Sequence, residues 1–147
     1  MNYLDTSALV KRFVNEKGSP LAQSLVQQSG PIATATIAYA EVFSGITRKL
    51  RDKHLSKTLY DLACRQFDRD WPAYVRVELN EGILVLARDL IQRHPLRGFD
   101  AVHLASAISL LNALGERITF VAADGRLLKA AEAEKLDVLN IETADAS

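Results

Sequence analysis

Asn2-Tyr3-Leu4-Asp5-Thr6-Ser7-Ala8 and Phe120-Val121-Ala122-Ala123-Asp124-Gly125-Arg126-Leu127 each end a short apolar run on an aspartate and then begin a helical pattern. If both runs are parallel strands of one sheet, their carboxyl ends share the edge where α/β proteins place their sites. Two aspartates 119 positions apart in sequence then face a single crevice.

Outward from these stretches, strand and helix patterns alternate. The periodicities predict strand 2–5, helix 6–14, helix 19–28, strand 31–35, helix 36–50, helix 56–69, strand 74–78, helix 80–93, helix 98–114, strand 118–122, helix 125–134 and strand 137–141. Breakers fall between them, at Gly18-Ser19-Pro20, Gly30-Pro31, Trp71-Pro72, Pro95, Gly115 and Gly125. Strands separated by helices imply βαβ units and a parallel sheet covered on both faces. Ile118–Ala122 reads as an interior strand, whereas Tyr74-Val75-Arg76-Val77-Glu78 alternates and suits a half-exposed or edge strand. The expectation is an α/β fold of three layers, with about five parallel strands between helices, formed as one domain over residues 1–147.

Composition sets the outer bounds. A chain of 147 residues can bury roughly 68–70% of the surface its unfolded form exposes. Eighteen basic against eighteen acidic residues give zero formal charge, so no overall field favours nucleic acid, although clustered carboxylates can mask a local basic surface. Cys64 is the only cysteine, which excludes an internal disulfide and CxxC chemistry and suggests a buried apolar thiol. There is no basic n-region before an apolar stretch and no run long enough to span a bilayer, so the expected location is cytoplasmic, with no membrane.

Four acids have competing readings. Asp5 and Asp124 can each be a helix N-cap, accepting from free amides of the following helix. Asp100 shares a helical face with Leu104, Ala107, Leu111 and Leu114; a carboxylate heading an apolar stripe points into the protein and needs compensation from a helix end, a base or a cation. Glu41 lies opposite the stripe Tyr39, Val42, Phe43, Ile46 and Leu50, as a solvent-exposed residue does. The small neighbours Ala38, Ser44 and Gly45 would also let that side line a narrow crevice. The helical wheel leaves both readings open.

Tyr3-Leu4-Asp5-Thr6-Ser7-Ala8-Leu9-Val10-Lys11, Ala40-Glu41-Val42, Phe99-Asp100-Ala101-Val102-His103-Leu104-Ala105-Ser106-Ala107 and Ala123-Asp124-Gly125-Arg126-Leu127 together resemble a PIN domain. Their order and spacing are similar to those of VapC-type toxins of bacterial and archaeal toxin–antitoxin pairs, from residue 2 to about 140. The resemblance implies that Asp5, Glu41, Asp100 and Asp124 hold Mg²⁺ or Mn²⁺ for RNA cleavage, with Thr6 and Ser7 in supporting polar positions. It also implies a homodimer, and a cognate antitoxin whose segment covers the acidic crevice. One departure is Gly125, where such toxins often carry a basic or polar residue.

Electrostatics points the same way. Two carboxylates about 4 Å apart repel by roughly 4 kcal/mol at an effective dielectric near 20. Three or four together need a counter-charge, and oxygen-only donors suit a hard divalent cation rather than zinc. His54, His94 and His103 form no zinc-type pair and read as structural or surface residues. For RNA contacts the candidates are Lys11, Arg12, Arg48, Arg97 and Arg126, while Tyr39, Phe43 and Phe99 read as core. A haloacid-dehalogenase-like phosphatase needs an aspartate where Ser7 stands. A receiver domain needs an acidic pair after the first strand, and the glycine spacing fits neither a dinucleotide nor a P-loop motif. A metal-free RNA-binding or interaction module remains the non-enzymatic alternative, and an RNA-processing nuclease the enzymatic one.

Overall fold

The computed structural model describes residues 1–28 and 30–144. Its elements in chain order are β1 (Asn2–Leu4), α1 (Thr6–Val10), α2 (Ser19–Gln27), β2 (Ile32–Ala35), α3 (Ala38–Arg51), α4 (Lys57–Asp70), a 3-10 turn (Trp71–Ala73), β3 (Val75–Val77), α5 (Glu81–Arg93), α6 (Gly98–Leu114), β4 (Thr119–Ala122), α7 (Gly125–Ala133) and β5 (Asp137–Asn140).

The five strands form one sheet in the order β3-β2-β1-β4-β5, and every pairing is parallel. Because side chains alternate across a strand, neighbouring residues enter different cores. Tyr3, Ala33, Ala35, Phe120 and Ala122 pack under Ile83, Leu90, Leu104 and Leu127 of α5, α6 and α7. On the other face Leu4, Ile32 and Val121 pack against Leu9, Leu25, Val42, Ile46 and Phe67 of α1 to α4. The result is the expected three-layer arrangement. From β1 the chain steps outward through β2 to β3, then crosses back to place β4 on the other side of β1. That reversal puts a switch point between β1 and β4, where a parallel sheet leaves a crevice at its carboxyl edge.

The structure departs from the sequence reading at two helices and at Cys64. The helix expected over 6–14 ends at Val10 as α-helix; Lys11, Arg12 and Phe13 donate instead to carbonyls three residues back, tightening the turn. Lys11 is then buried, its Nζ 3.1 Å from both Glu16 and Glu142. Leu114, placed on the buried stripe of α6, is exposed, while Ala101, His103, Ala105 and Ser106 are buried beside Leu104 and Ala107. With α5, α7 and the sheet packed around it, α6 is enclosed on most sides, so no single stripe describes it. Cys64 is half-buried rather than buried. Among the described residues no helix is long and apolar enough to cross a membrane.

Gly18 makes the turn into α2 with φ +92°, and a Cβ there would lie 2.7 Å from the Ile141 carbonyl oxygen and 2.9 Å from the Lys11 side chain. Left-handed backbone and a clash with main chain act together. Gly18→Ala is therefore expected to lower the unfolding free energy by about 2 kcal/mol, read as a shift of the urea midpoint.

Candidate active site at the sheet edge

Asp5 follows β1 and caps α1. Its Oδ1 accepts from the Ala8 amide at 3.0 Å and the Ser7 hydroxyl at 2.7 Å. Ser7 Oγ in turn accepts from the Ala123 amide at 3.2 Å, tying this turn to the end of β4. Asp124 caps α7 in the same way, accepting from the Arg126 amide at 2.8 Å and the Leu127 amide at 3.4 Å. Capping and a place in the crevice are thus compatible. One carboxylate oxygen holds the helix start, and the residue still faces the sheet edge.

The other two acids come from opposite layers. Glu41, in the first turn of α3, accepts on Oε1 from Thr6 Oγ1 at 2.6 Å and from His103 Nε2 at 2.9 Å. Asp100, in the first turn of α6, accepts on Oδ2 from Arg97 Nε at 3.1 Å. Asp100 is half-buried, less deep than an apolar stripe implies. All four acids line one open cavity of about 780 Å³, together with Thr6, Ser7, Ser44, Gly45, Arg48, Arg97, Phe99 and His103. Of the two sides proposed for Glu41, the structure takes the crevice; Ser44 and Gly45 line it together with Ala40, whereas Ala38 is buried in the core.

Electrostatics records the crowding. Burial pushes the Asp5 carboxyl above its ordinary range; the His103 ring, Ser7 and the Ala8 amide oppose this, and the Asp100 charge adds to it. At Glu41 burial also pushes upward, but the bonds from His103 and Thr6 outweigh it and hold the group below its ordinary range. Arg97 lies at the N-terminus of α6 and reaches both Asp100 and, at 3.9 Å, Asp124.

Among the described residues no three acid, histidine or cysteine side chains are grouped closely enough to form a ready cation cage. Each carboxylate is instead drawn to a protein donor. The donors are nonetheless hard oxygens, and burial is what raises Asp5, with the Asp100 charge a smaller contribution in the same direction. That chemistry fits a strongly hydrated Mg²⁺ or Mn²⁺ ion, which keeps several waters and needs only one or two direct carboxylates.

The basic residues divide. Arg48 and Arg97 line the cavity, and Arg126 lines an adjoining one of about 280 Å³ beside Asp124. Lys11 is buried between Glu16 and Glu142, and Arg12 turns to Asp70 at 3.5 Å. Two residues read otherwise from sequence also lie at the site. His103 is only 2% exposed and bonds Glu41; its position three residues after Asp100, on one helix face, was the available signal. Phe99, read as core, is 63% exposed at the cavity rim.

The family profile described as PIN domain matches residues 3–133. Ribonuclease VapC45 of Mycobacterium tuberculosis (strain CDC 1551 / Oshkosh) is 36% identical over 108 residues, covering 74% of this chain and 75% of that protein. Two solved structures share the fold. One is FitAcB from Neisseria gonorrhoeae, at TM-score 0.68 and 13% identity over 98% of this chain and 100% of that one. The other is a toxin-antitoxin complex from Klebsiella pneumoniae, at TM-score 0.66 and 18% identity over 96% of this chain and 98% of that one.

The raised Asp5 carboxyl has a measurable sign. A folded-state pKa above the unfolded value means that ionised Asp5 costs stability at neutral pH, and that the cost disappears as pH falls to the unfolded carboxyl range near 4. Asp5→Asn keeps the cap and removes the charge. Metal-free Asp5→Asn is expected to exceed the parent in stability at pH 7 by on the order of 1 kcal/mol, with the difference closing near pH 4, in urea titrations at both pH values.

Proposed function

This chain belongs to the PIN-domain family, and from that premise we propose that it is an Mg²⁺- or Mn²⁺-dependent endoribonuclease, acting in the cytoplasm as the toxin of a toxin–antitoxin pair. One observation carries the reading. Acidic side chains from the ends of β1 and β4 and the first turns of α3 and α6 line a single cavity at the switch point of a parallel sheet. The ribonuclease name of a relative 36% identical over three-quarters of the chain supports the reaction class.

Asp5, Glu41, Asp100 and Asp124 are the residues that would hold the cation. When bound, a hard divalent ion lowers the pKa of a coordinated water and neutralises charge developing on a phosphodiester. The chain's own groups prepare for this. Ser7 fixes one oxygen of Asp5, and Thr6 one oxygen of Glu41. Arg48 and Arg97 on the wall supply positive charge to the RNA backbone, which positions the strand without reading its sequence. The exposed Phe99 ring at the rim offers a stacking face to an unpaired base, so the favoured substrate is single-stranded. Partners follow from the family: a homodimer, and an antitoxin that covers the cavity and sets a basic side chain, arginine for preference, among the acids.

The purified protein is expected to cleave single-stranded RNA with Mg²⁺ or Mn²⁺ and to stop in EDTA. Asp100→Asn should lower the cleavage rate by about 100-fold or more while the protein stays folded. Expression alone should arrest growth, and co-expression of the cognate antitoxin should relieve it. Undiminished cleavage in EDTA would sink the metal reading. Harmless expression beside robust cleavage in vitro would reassign the protein as an RNA-processing nuclease.

A further inference from the structure

His103 sits on α6 and Glu41 on α3, helices that cover opposite faces of the sheet. The imidazole reaches across the carboxyl edge, and both ring nitrogens are engaged. Nδ1 lies 2.8 Å from the Tyr3 hydroxyl; Nε2 lies 2.9 Å from Glu41 Oε1 and 3.1 Å from Thr6 Oγ1. An ionised carboxylate can only accept, so Nε2 carries the proton toward Glu41. In the neutral ring Nδ1 then accepts from Tyr3, which fixes the tautomer.

Tyr3 is itself immobilised. It is fully buried on β1, stacks on Phe120 of β4 with ring centroids 5.4 Å apart, and meets the His103 ring edge-on at 5.9 Å. A rigid path therefore runs from the sheet core through Tyr3 and His103 to Glu41. At its end, Thr6 and His103 both donate to Oε1 of Glu41, while Oε2 accepts no hydrogen bond among the described residues. Two donors hold one oxygen in place and leave the other without a protein donor among the described residues, on a side chain that lines the cavity.

We propose that His103 is a positioning residue: clamped by Tyr3, it holds Glu41 by one oxygen, presents the other to the cavity, and thereby sets the affinity of the cavity for its divalent cation. This rests on reading the cavity as a cation-dependent site. Donors behind a ligating carboxylate commonly change metal affinity by 10–100-fold when removed. A plain structural tie between two helices would change stability without changing that affinity. The ring also suits the place: one rigid plane carries both the donor to Glu41 and the acceptor for Tyr3, where a glutamine would bring an N–H and a carbonyl on a flexible stem.

The test is Mn²⁺ binding to the metal-free full chain, read by calorimetry and by the electron paramagnetic resonance signal of free Mn²⁺. It compares the parent with His103→Ala, His103→Gln, Tyr3→Phe and Gly18→Ala. His103→Ala is expected to bind Mn²⁺ 10–100-fold more weakly, with His103→Gln recovering most of the loss. Tyr3→Phe keeps the stacking but frees the ring, and should fall between. Gly18→Ala, destabilised away from the cavity, should bind as the parent does. At saturating Mn²⁺ the His103→Ala protein should regain most of its RNA cleavage, since positioning acts on affinity. If His103→Ala fails to fold, an unchanged Mn²⁺ affinity in Tyr3→Phe overturns the proposal. Equal affinity in folded His103→Ala and parent overturns it too, and leaves the metal site intact. A parent that binds no Mn²⁺ and cleaves in EDTA overturns the metal site and this proposal together.

Discussion

The convergence of four carboxylates on one sheet edge is the constraint around which this site is arranged. The order β3-β2-β1-β4-β5 makes β1 and β4 neighbours, so Asp5 and Asp124 meet at the crevice whatever the rest of the chain does. Asp100 and Glu41 add charge from the two helical layers. The acids are answered by different sets of donors: the Ala8 amide and Ser7 for Asp5, amides of α7 for Asp124, the Thr6–His103 pair for Glu41, and Arg97 for Asp100, with Asp124 also in its reach. These answers differ in permanence. The amides and His103 belong to packed elements and cannot leave. Arg97 is 83% exposed, and an ion pair so wet is weak and readily exchanged. The one easily released counter-charge is therefore the one facing solvent, on the side from which a cation or a basic side chain would arrive.

Much of this was legible because the sheet is parallel. Alternating strand and helix patterns specify the layers, the interior and edge strands differ in hydropathy, and α6 keeps the bounds its sequence predicts, Gly98–Leu114. The two aspartates after β1 and β4 could be placed on one edge from the strand ends alone. What failed to show was anything decided between layers. The wheel of α3 ranks residues by their distance from that helix's own core, Val42 and Ile46, and so sets Glu41 opposite that core without deciding between solvent and crevice. Outward from one layer is, at the sheet edge, toward the end of α6 in the other. Periodicity carries no term for a crevice shared by two helices.

The same blindness hid His103. A lone histidine amid apolar residues is indistinguishable by pattern from a buried structural one, and here it is both buried and joined to the acid whose direction the pattern left open. Phe99 erred in the opposite direction. At the second position of α6, before the helix enters the core, its ring remains at the surface although its residue type favours burial. Lys11 lay in the opening motif and so invited a role with RNA, yet the tightening of the chain after Val10 drew it inward to Glu16 and Glu142. In each case the deciding fact was tertiary: which element covers which, and where a helix stops.

The pairing of β1 with β4 also orders events in time. Asn2 aligns with Thr119 and Leu4 with Val121, so β1 lacks one of its two neighbours until residues 119–122 have been synthesised. Asp100, His103 and Asp124 lie between residues 100 and 124, so they too are made long after Asp5 and Glu41. Long-range closure of this kind is a late step in folding. The crevice that gathers the four acids is thus incomplete until β4 is made, long after β1 has left the ribosome.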